Sequence, residues 1–251
     1  MKVCFGVICI GQSYIDEFNR LFKPSLVAYT TKYGYDLKVF TDYLSTERHH
    51  SLISFQKALI PSQECMKEYD LIVVIDGDIF INNGAPPIHT IDLQGKVGIV
   101  NELTQLGDEV KIIRSRISVP EEPTEYYKKS GFDVTDQVYL NTGLILCTPQ
   151  HAEFLKSIYT AYCTSAIDHP RGFHYEQSCI GYELSKNKMY TLIPNEWNHI
   201  YLFSIILNRH SPNAWFVHFA GLRGSTRESQ LMKYTALTYV RRPIIRGLSL
   251  R

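Results

Sequence analysis

Leu71-Ile72-Val73-Val74-Ile75-Asp76-Gly77-Asp78 is the stretch that decides how this chain is read. Its first five residues are uninterrupted apolar text, which suits a central parallel strand covered on both faces. Two carboxylates follow at once. In a doubly wound sheet, ligands gather at the carboxyl ends of the strands, and residues two apart project to one side. Asp76 and Asp78 can therefore approach one point, where like charges repel unless a cation lies between them. A hard divalent ion meets that need, and its free positions accept diphosphate oxygens. Asp-Gly is also a common surface-turn dipeptide. Ile79, Phe80 and Ile81, which carry the apolar text past the acidic pair, weigh against a simple turn.

Outward from that strand, short apolar runs alternate with amphipathic segments, the pattern of β-α-β units and hence of an α/β fold. Val3 to Ile10 reads as the first strand, with Gly11 as a turn residue. Ser13 is the expected N-cap of a helix running to about Lys32, interrupted at Pro24 and ended by Gly34. Asp36 to Phe40 reads as a second strand, and Ser54 to about Glu68 as a helix, with a fresh start near Pro61. Val97 to Val100, Val138 to Cys147 and Trp215 to Phe219 read as strands; Ala152 to Tyr162 and Tyr175 to Leu184 read as helices. Between Leu106 and Val134 the text is charged and irregular, with Pro120 and Pro123, and is expected to form a long acceptor-side connection.

The bulk properties are those of a soluble globular protein: 251 residues, 45% hydrophobic and 20% charged. With 26 basic against 25 acidic residues, nothing global draws the chain to nucleic acid or acidic membranes. The six cysteines form no Cys-x-x-Cys pair, and no Asn-x-Ser/Thr sequence occurs, so reduced core thiols and a cytoplasmic location are expected. No apolar run reaches membrane-spanning length. The terminal stretch, residues 241–251, is basic.

A second chemical element lies far along the chain, in Trp215-Phe216-Val217-His218-Phe219-Ala220-Gly221-Leu222-Arg223-Gly224. A lone histidine in an apolar strand is ordinarily a core residue. Here a glycine-containing loop with an arginine follows directly. Imidazole completes a coordination shell for Mn²⁺. Gly221 lets backbone approach phosphate, and Arg223 brings a positive fork.

With these residues in view, the chain resembles the GT-A glycosyltransferases, most of all the retaining families 8 and 34, the glycogenin-like and galactosyltransferase-like enzymes. Asp76-Gly77-Asp78 is similar to their D-x-D metal motif. Ile10 and Gly11-Gln12-Ser13-Tyr14 resemble the loop after strand one that holds the nucleotide base, with Tyr14 at the aromatic position. Phe55-Gln56-Lys57 resembles an aromatic-x-Lys element whose lysine lies near the donor. Asn141-Thr142-Gly143-Leu144 resembles the F-N-[AST]-G strand lining the sugar pocket. His218-Phe219-Ala220-Gly221-Leu222-Arg223 resembles the late H-x-x-G-x-K loop for metal and diphosphate. Tyr175-Glu176-Gln177-Ser178-Cys179-Ile180-Gly181 resembles a D-Q-x-x-[LI]-N helix start, and Ile193-Pro194-Asn195-Glu196-Trp197-Asn198 an L-P-x-x-W-N segment. Glu176, Gly181 and Arg223 replace the usual Asp, Asn and Lys.

The resemblance implies one GT-A (Rossmann-like) domain with a mostly parallel mixed sheet flanked by helices. Residues 1–100 would form the nucleotide-binding half, 101–240 the acceptor half and 241–251 a basic tail. It implies Mn²⁺, or Mg²⁺, on Asp76, Asp78 and His218, and a nucleotide-diphosphate sugar, UDP-sugar above all. It further implies Glu176 and Gln177 at the reacting sugar, a glycan or small hydroxyl acceptor, and retention of configuration. An inverting course would need a carboxylate base, for which Glu176 and Asp136 are candidates. Two other readings stay open: a sugar-nucleotide-binding module without transfer activity, and a D-x-D phosphohydrolase.

Overall fold

The computed structural model describes residues 1–45, 50–117, 120, 122–163, 175–209 and 214–240. The basic tail at 241–251 lies outside them. Nine strands form two sheets among these residues. The larger has the order β2 (Asp36–Phe40), β1 (Val3–Ile8), β3 (Leu71–Ile75), β6 (Leu140–Cys147), β5 (Val97–Asn101), β7 (Tyr190–Leu192). All its strands run parallel except β6, which is antiparallel to both its neighbours.

Alternating side chains of the central strands serve two cores, which is why β1 and β3 carry no polar face. Phe5, Val7, Val73 and Ile75 pack with Phe18, Phe22, Leu26 and Tyr29 on one side. Cys4, Ile8, Ile72 and Val74 pack with Phe55, Ile60, Leu155, Ile158 and Leu184 on the other. Each such fully buried aliphatic side chain contributes about 1.5–3 kcal/mol, so the sheet is rigid where the acidic pair leaves it.

A smaller sheet, ordered β4 (Ile79–Ile81), β9 (Phe216–His218), β8 (His199–Ile200), carries the chemistry. Its register sets Ile79 opposite His218. On the other side of the turn, β3 meets β6 with Ile75 opposite Leu144, and the Asp76 N–H donates to the Gly143 carbonyl at 2.9 Å. Residues far apart in sequence are thus fixed around one strand end by backbone pairing alone.

Several local expectations need correction. The first helix is capped by Gly11, not Ser13, because Gly11 alone takes the left-handed φ of 95° there. It runs as α1 (Gln12–Glu17), a π-helical turn (Phe18–Phe22) and α2 (Lys23–Tyr33). The wider turn lies directly before Pro24, whose missing N–H breaks the i→i−4 ladder. Gly34 ends α2 with φ 68°. The second helix is a 3₁₀ helix, His50–Ser62, followed by a short turn at Glu64–Met66. The segment read as irregular is preceded by the short α3 (Leu103–Leu106) and holds α4 (Val110–Ile117) and α5 (Pro123–Lys129), with Pro123 in the first helical turn. Their apolar faces are narrow, so charge masked the period. Downstream lie α6 (Ala152–Tyr162), α7 (Tyr175–Lys186), α8 (Tyr201–Ile206) and α9 (Gly224–Val240). Among the described residues, no helix is long and apolar enough to cross a membrane.

Candidate active site

At the carboxyl end of β3, Asp76, Asp78 and His218 each offer one ligand atom, all within 4.8 Å of one another. His218 Nε2 lies 3.2 Å from Asp78 Oδ1 and 3.8 Å from Asp76 Oδ2. The outer oxygens are taken by the protein's own cations. Lys57 Nζ meets Asp76 Oδ1 at 2.5 Å, and Arg227 Nη2 meets Asp78 Oδ2 at 3.3 Å. Each aspartate therefore keeps one oxygen for the shared point and gives the other to a counterion.

The imidazole is oriented from behind. Its Nδ1 lies 3.0 Å from Asn198 Oδ1, and Asn198 Nδ2 donates to Asn141 Oδ1 at 2.7 Å. Asn141 Oδ1 also accepts the Gly143 N–H, while its Nδ2 donates to Glu102 Oε2 at 3.0 Å. An amide oxygen facing Nδ1 calls for a proton there, so that Nε2, which faces the carboxylates, would be the nitrogen free to serve a metal. Gly143 belongs to the same device, since a Cβ at that position would overlap the His218 ring.

These donors suit a hard to borderline divalent ion: two carboxylate oxygens and one imidazole nitrogen, backed by a hydrogen-bonded second layer.

Charge in the cluster is net negative. Glu176, in the first turn of α7, has Oε1 at 3.9 Å from Lys57 Nζ. Glu17 Oε1 lies 3.3 Å from Arg227 Nη1, so with Asp76 and Asp78 four carboxylates face Lys57 and Arg227, two negative charges in excess. Burial disfavours the Asp78 carboxylate, but His218 and Arg227 outweigh it and draw its pKa down to about 2. Burial likewise opposes the Lys57 ammonium, and Asp76 with Glu176 overcomes it and raises its pKa.

The remaining candidates fall as follows. Tyr14 stands against the acidic turn, its hydroxyl 3.0 Å from where a Cβ of Gly77 would lie. Burial first, then Asp78 and Asp76, holds its phenol protonated. Ile10 is half-buried and Gly11 exposed at the mouth of the same strand end. Lys57 is not a solvated charge: it is 3% exposed and also donates to the Thr142 carbonyl at 3.3 Å. Gln177 is buried, with Oε1 accepting from Thr142 N and Nε2 donating to Tyr126 Oη, both at 3.4 Å. Gly221 takes φ 77° beside a pocket that Gln177 and Asn141 also line. Arg223 is exposed and makes no ion pair with a described residue. Asp136 is held by Lys188 at 2.6 Å and Tyr190 at 3.2 Å. Trp197 is buried in the core.

Sequence reasoning missed Arg227, Asn198 and the Glu102–Arg114 pair. Asn198 stood inside the quoted Trp-Asn segment with no role attached. Arg227 lies four residues after Arg223, and nothing in the text said which of the two turns inward.

No protein-family model matches this chain, and no curated protein matches it. Solved structures do match. The chain aligns with a glycosyltransferase involved in the glycosylation of the major capsid of PBCV-1, with a TM-score of 0.61 and 16% identity, over 92% of this chain and 99% of that one. It also aligns with the galactosyltransferase LgtC, solved with donor and acceptor sugar analogues, with a TM-score of 0.59 and 12% identity, over 96% of each chain. The fold is therefore that of the GT-A glycosyltransferases, a mixed α/β sheet flanked by helices.

Proposed function

We propose that this chain is a metal-dependent glycosyltransferase. It moves a sugar from a nucleotide-diphosphate donor, a UDP-sugar, to a hydroxyl of a glycan or small acceptor, with retention. The observation that carries this reading is the convergence of Asp76, Asp78 and His218 at the end of β3, in a fold shared with glycosyltransferases. Six free cysteines, five of them buried, suit a reducing compartment, and we place the protein in the cytoplasm.

In this reading Asp76, Asp78 and His218 would hold Mn²⁺ or Mg²⁺, which would supply Lewis-acid stabilisation of the departing diphosphate. Lys57 and Arg227 hold the carboxylates in place and add positive charge on the leaving-group side; Arg223 reaches the diphosphate from the Gly221 loop. Ile10, Gly11 and Tyr14 border the nucleotide base, and Asn141 and Gly143 the sugar. As the bond from the anomeric carbon to phosphate oxygen breaks, its electron pair leaves with the diphosphate. Gln177 stabilises the positive charge growing on that carbon through its amide oxygen, and Glu176 orients the sugar hydroxyls. The acceptor oxygen then forms the new bond, and its proton passes to the leaving phosphate oxygen.

The direct test is hydrolysis of a panel of nucleotide-sugars with and without Mn²⁺. Metal-dependent release of free sugar from a UDP-sugar is expected. Release of phosphate from simple esters instead would replace this reading with a phosphohydrolase.

A further inference from the structure

Beside the metal-competent cluster lies a partly enclosed pocket of about 210 Å³. Ile117, Ile200, Leu202 and Phe203 make most of its wall apolar, and Asn141, joined through Asn198 to His218, connects it to the cluster. Two charged groups line it, Glu102 and Arg114. Arg114 is only 1% exposed, lies over the Tyr139 ring at 4.0 Å, and has Nη2 3.0 Å from Glu102 Oε1. Yet neither its Nε nor its Nη2 has an aligned hydrogen-bond acceptor. Buried donors are rarely left unmet, and a guanidinium at the wall of a cavity is placed to be met by a ligand.

We propose, on the strength of the transfer reading above, that this pocket holds the acceptor, and that the acceptor is a neutral pyranose with an apolar edge. Its hydroxyl or ring oxygen accepts from Arg114, and its C–H-rich side lies on the aliphatic wall. Charge argues for neutrality. Glu102 already balances Arg114, and the neighbouring cluster already carries carboxylates in excess. A uronic acid here would set a further carboxylate against Glu102 with no cation left for it. The wall argues for the apolar edge: among the aliphatic side chains, a hydroxymethyl group would lose water without gaining a partner, whereas a methyl group would lose nothing.

The test is a matched series that changes only C6: methyl 6-deoxy-α-D-galactopyranoside, methyl α-D-galactopyranoside and methyl α-D-galacturonide, with the corresponding gluco series. Binding to the full chain is followed by saturation-transfer NMR. The deoxy member is expected to bind about tenfold more tightly than the uronide, with the hydroxymethyl member between. Leu202→Trp, which fills the pocket without touching the ion pair, should abolish the signal at unchanged melting temperature. Glu102→Gln leaves Arg114 unbalanced and should turn the preference toward the uronide.

Equal or tighter binding of the uronide by the unaltered protein, retained binding in Leu202→Trp, or no binding by any member overturns the proposal. On the same sample, UDP with Mn²⁺ is tested by thermal shift. A shift with UDP but no glycoside binding removes only the acceptor assignment; no shift with UDP removes the transfer reading beneath it.

Discussion

Gly143 and His218 share a space that only a missing side chain keeps open: a Cβ on Gly143 would fall 2.5 Å from Nδ1 of the imidazole. Gly143→Ala must push the ring away and break its contact with Asn198. The expected result is Mn²⁺ affinity weakened by roughly 10–100-fold, read by calorimetric titration. Wild-type affinity in this variant would mean that His218 is not a ligand.

Asp78 has one oxygen on the imidazole and one on Arg227. Asp78→Asn keeps its shape and removes its charge. Mn²⁺-dependent UDP-sugar hydrolysis should fall by about 10²–10³-fold while the circular dichroism spectrum stays unchanged. Full activity would remove the metal-site assignment.

Arg227 and Arg223 can be told apart. Arg227 is buried and touches both Asp78 and Glu17, whereas Arg223 is exposed. Arg227→Met should lower UDP-sugar turnover by roughly tenfold or more, and Arg223→Met by less, since a solvated charge interacts more weakly than a desolvated one. Steady-state hydrolysis of both variants decides it, and the reverse order would return the diphosphate to the Gly221 loop alone.

Lys57 is a buried ammonium between Asp76 and Glu176. Lys57→Met leaves Asp76 without its counterion and should destabilise the protein by about 3–5 kcal/mol, measured by urea unfolding. A bound divalent ion can take over part of that neutralisation. Added Mn²⁺ should therefore raise the melting temperature more in this variant than in the original protein.

Gly181 stands where the resembling families carry Asn, and the structure gives a physical reason. The Tyr127 hydroxyl fills the space that a Cβ there would need. Gly181→Ala should cost about 1–3 kcal/mol through overpacking, seen as a lower denaturation midpoint. Relief in a Gly181→Ala/Tyr127→Phe double variant would locate the strain at the phenol.

How much of this was legible follows from which signals are local. Strand β3 announced itself because all five side chains are buried, and α6 was bounded correctly because its apolar spacing is regular and Pro149 precedes it. Gly34 marked a helix end because only a left-handed residue fits there. The helices between Leu103 and Lys129 were hidden because their buried residues, such as Ile113, Tyr126 and Tyr127, are few among charges. At the site, Asp76, Gly77, Asp78 and His218 were readable as a set through motif order. Arg227, Asn198 and Glu102 were not, because their roles come from strand register and helix rotation, which a linear text does not record.

The pairing of Ile79 with His218 also has a consequence in time. More than half of the polypeptide separates Asp78 from His218, and β4 has β9 as its sole neighbour in its sheet. A chain emerging from the ribosome and synthesised only as far as β6 already contains its parallel core strands. It still lacks the imidazole, the amide behind it and the arginine on Asp78. Completion of the Asp76, Asp78 and His218 cluster must therefore await the last stretch of synthesis, so that the nascent protein cannot hold a cation there before its final sheet has closed.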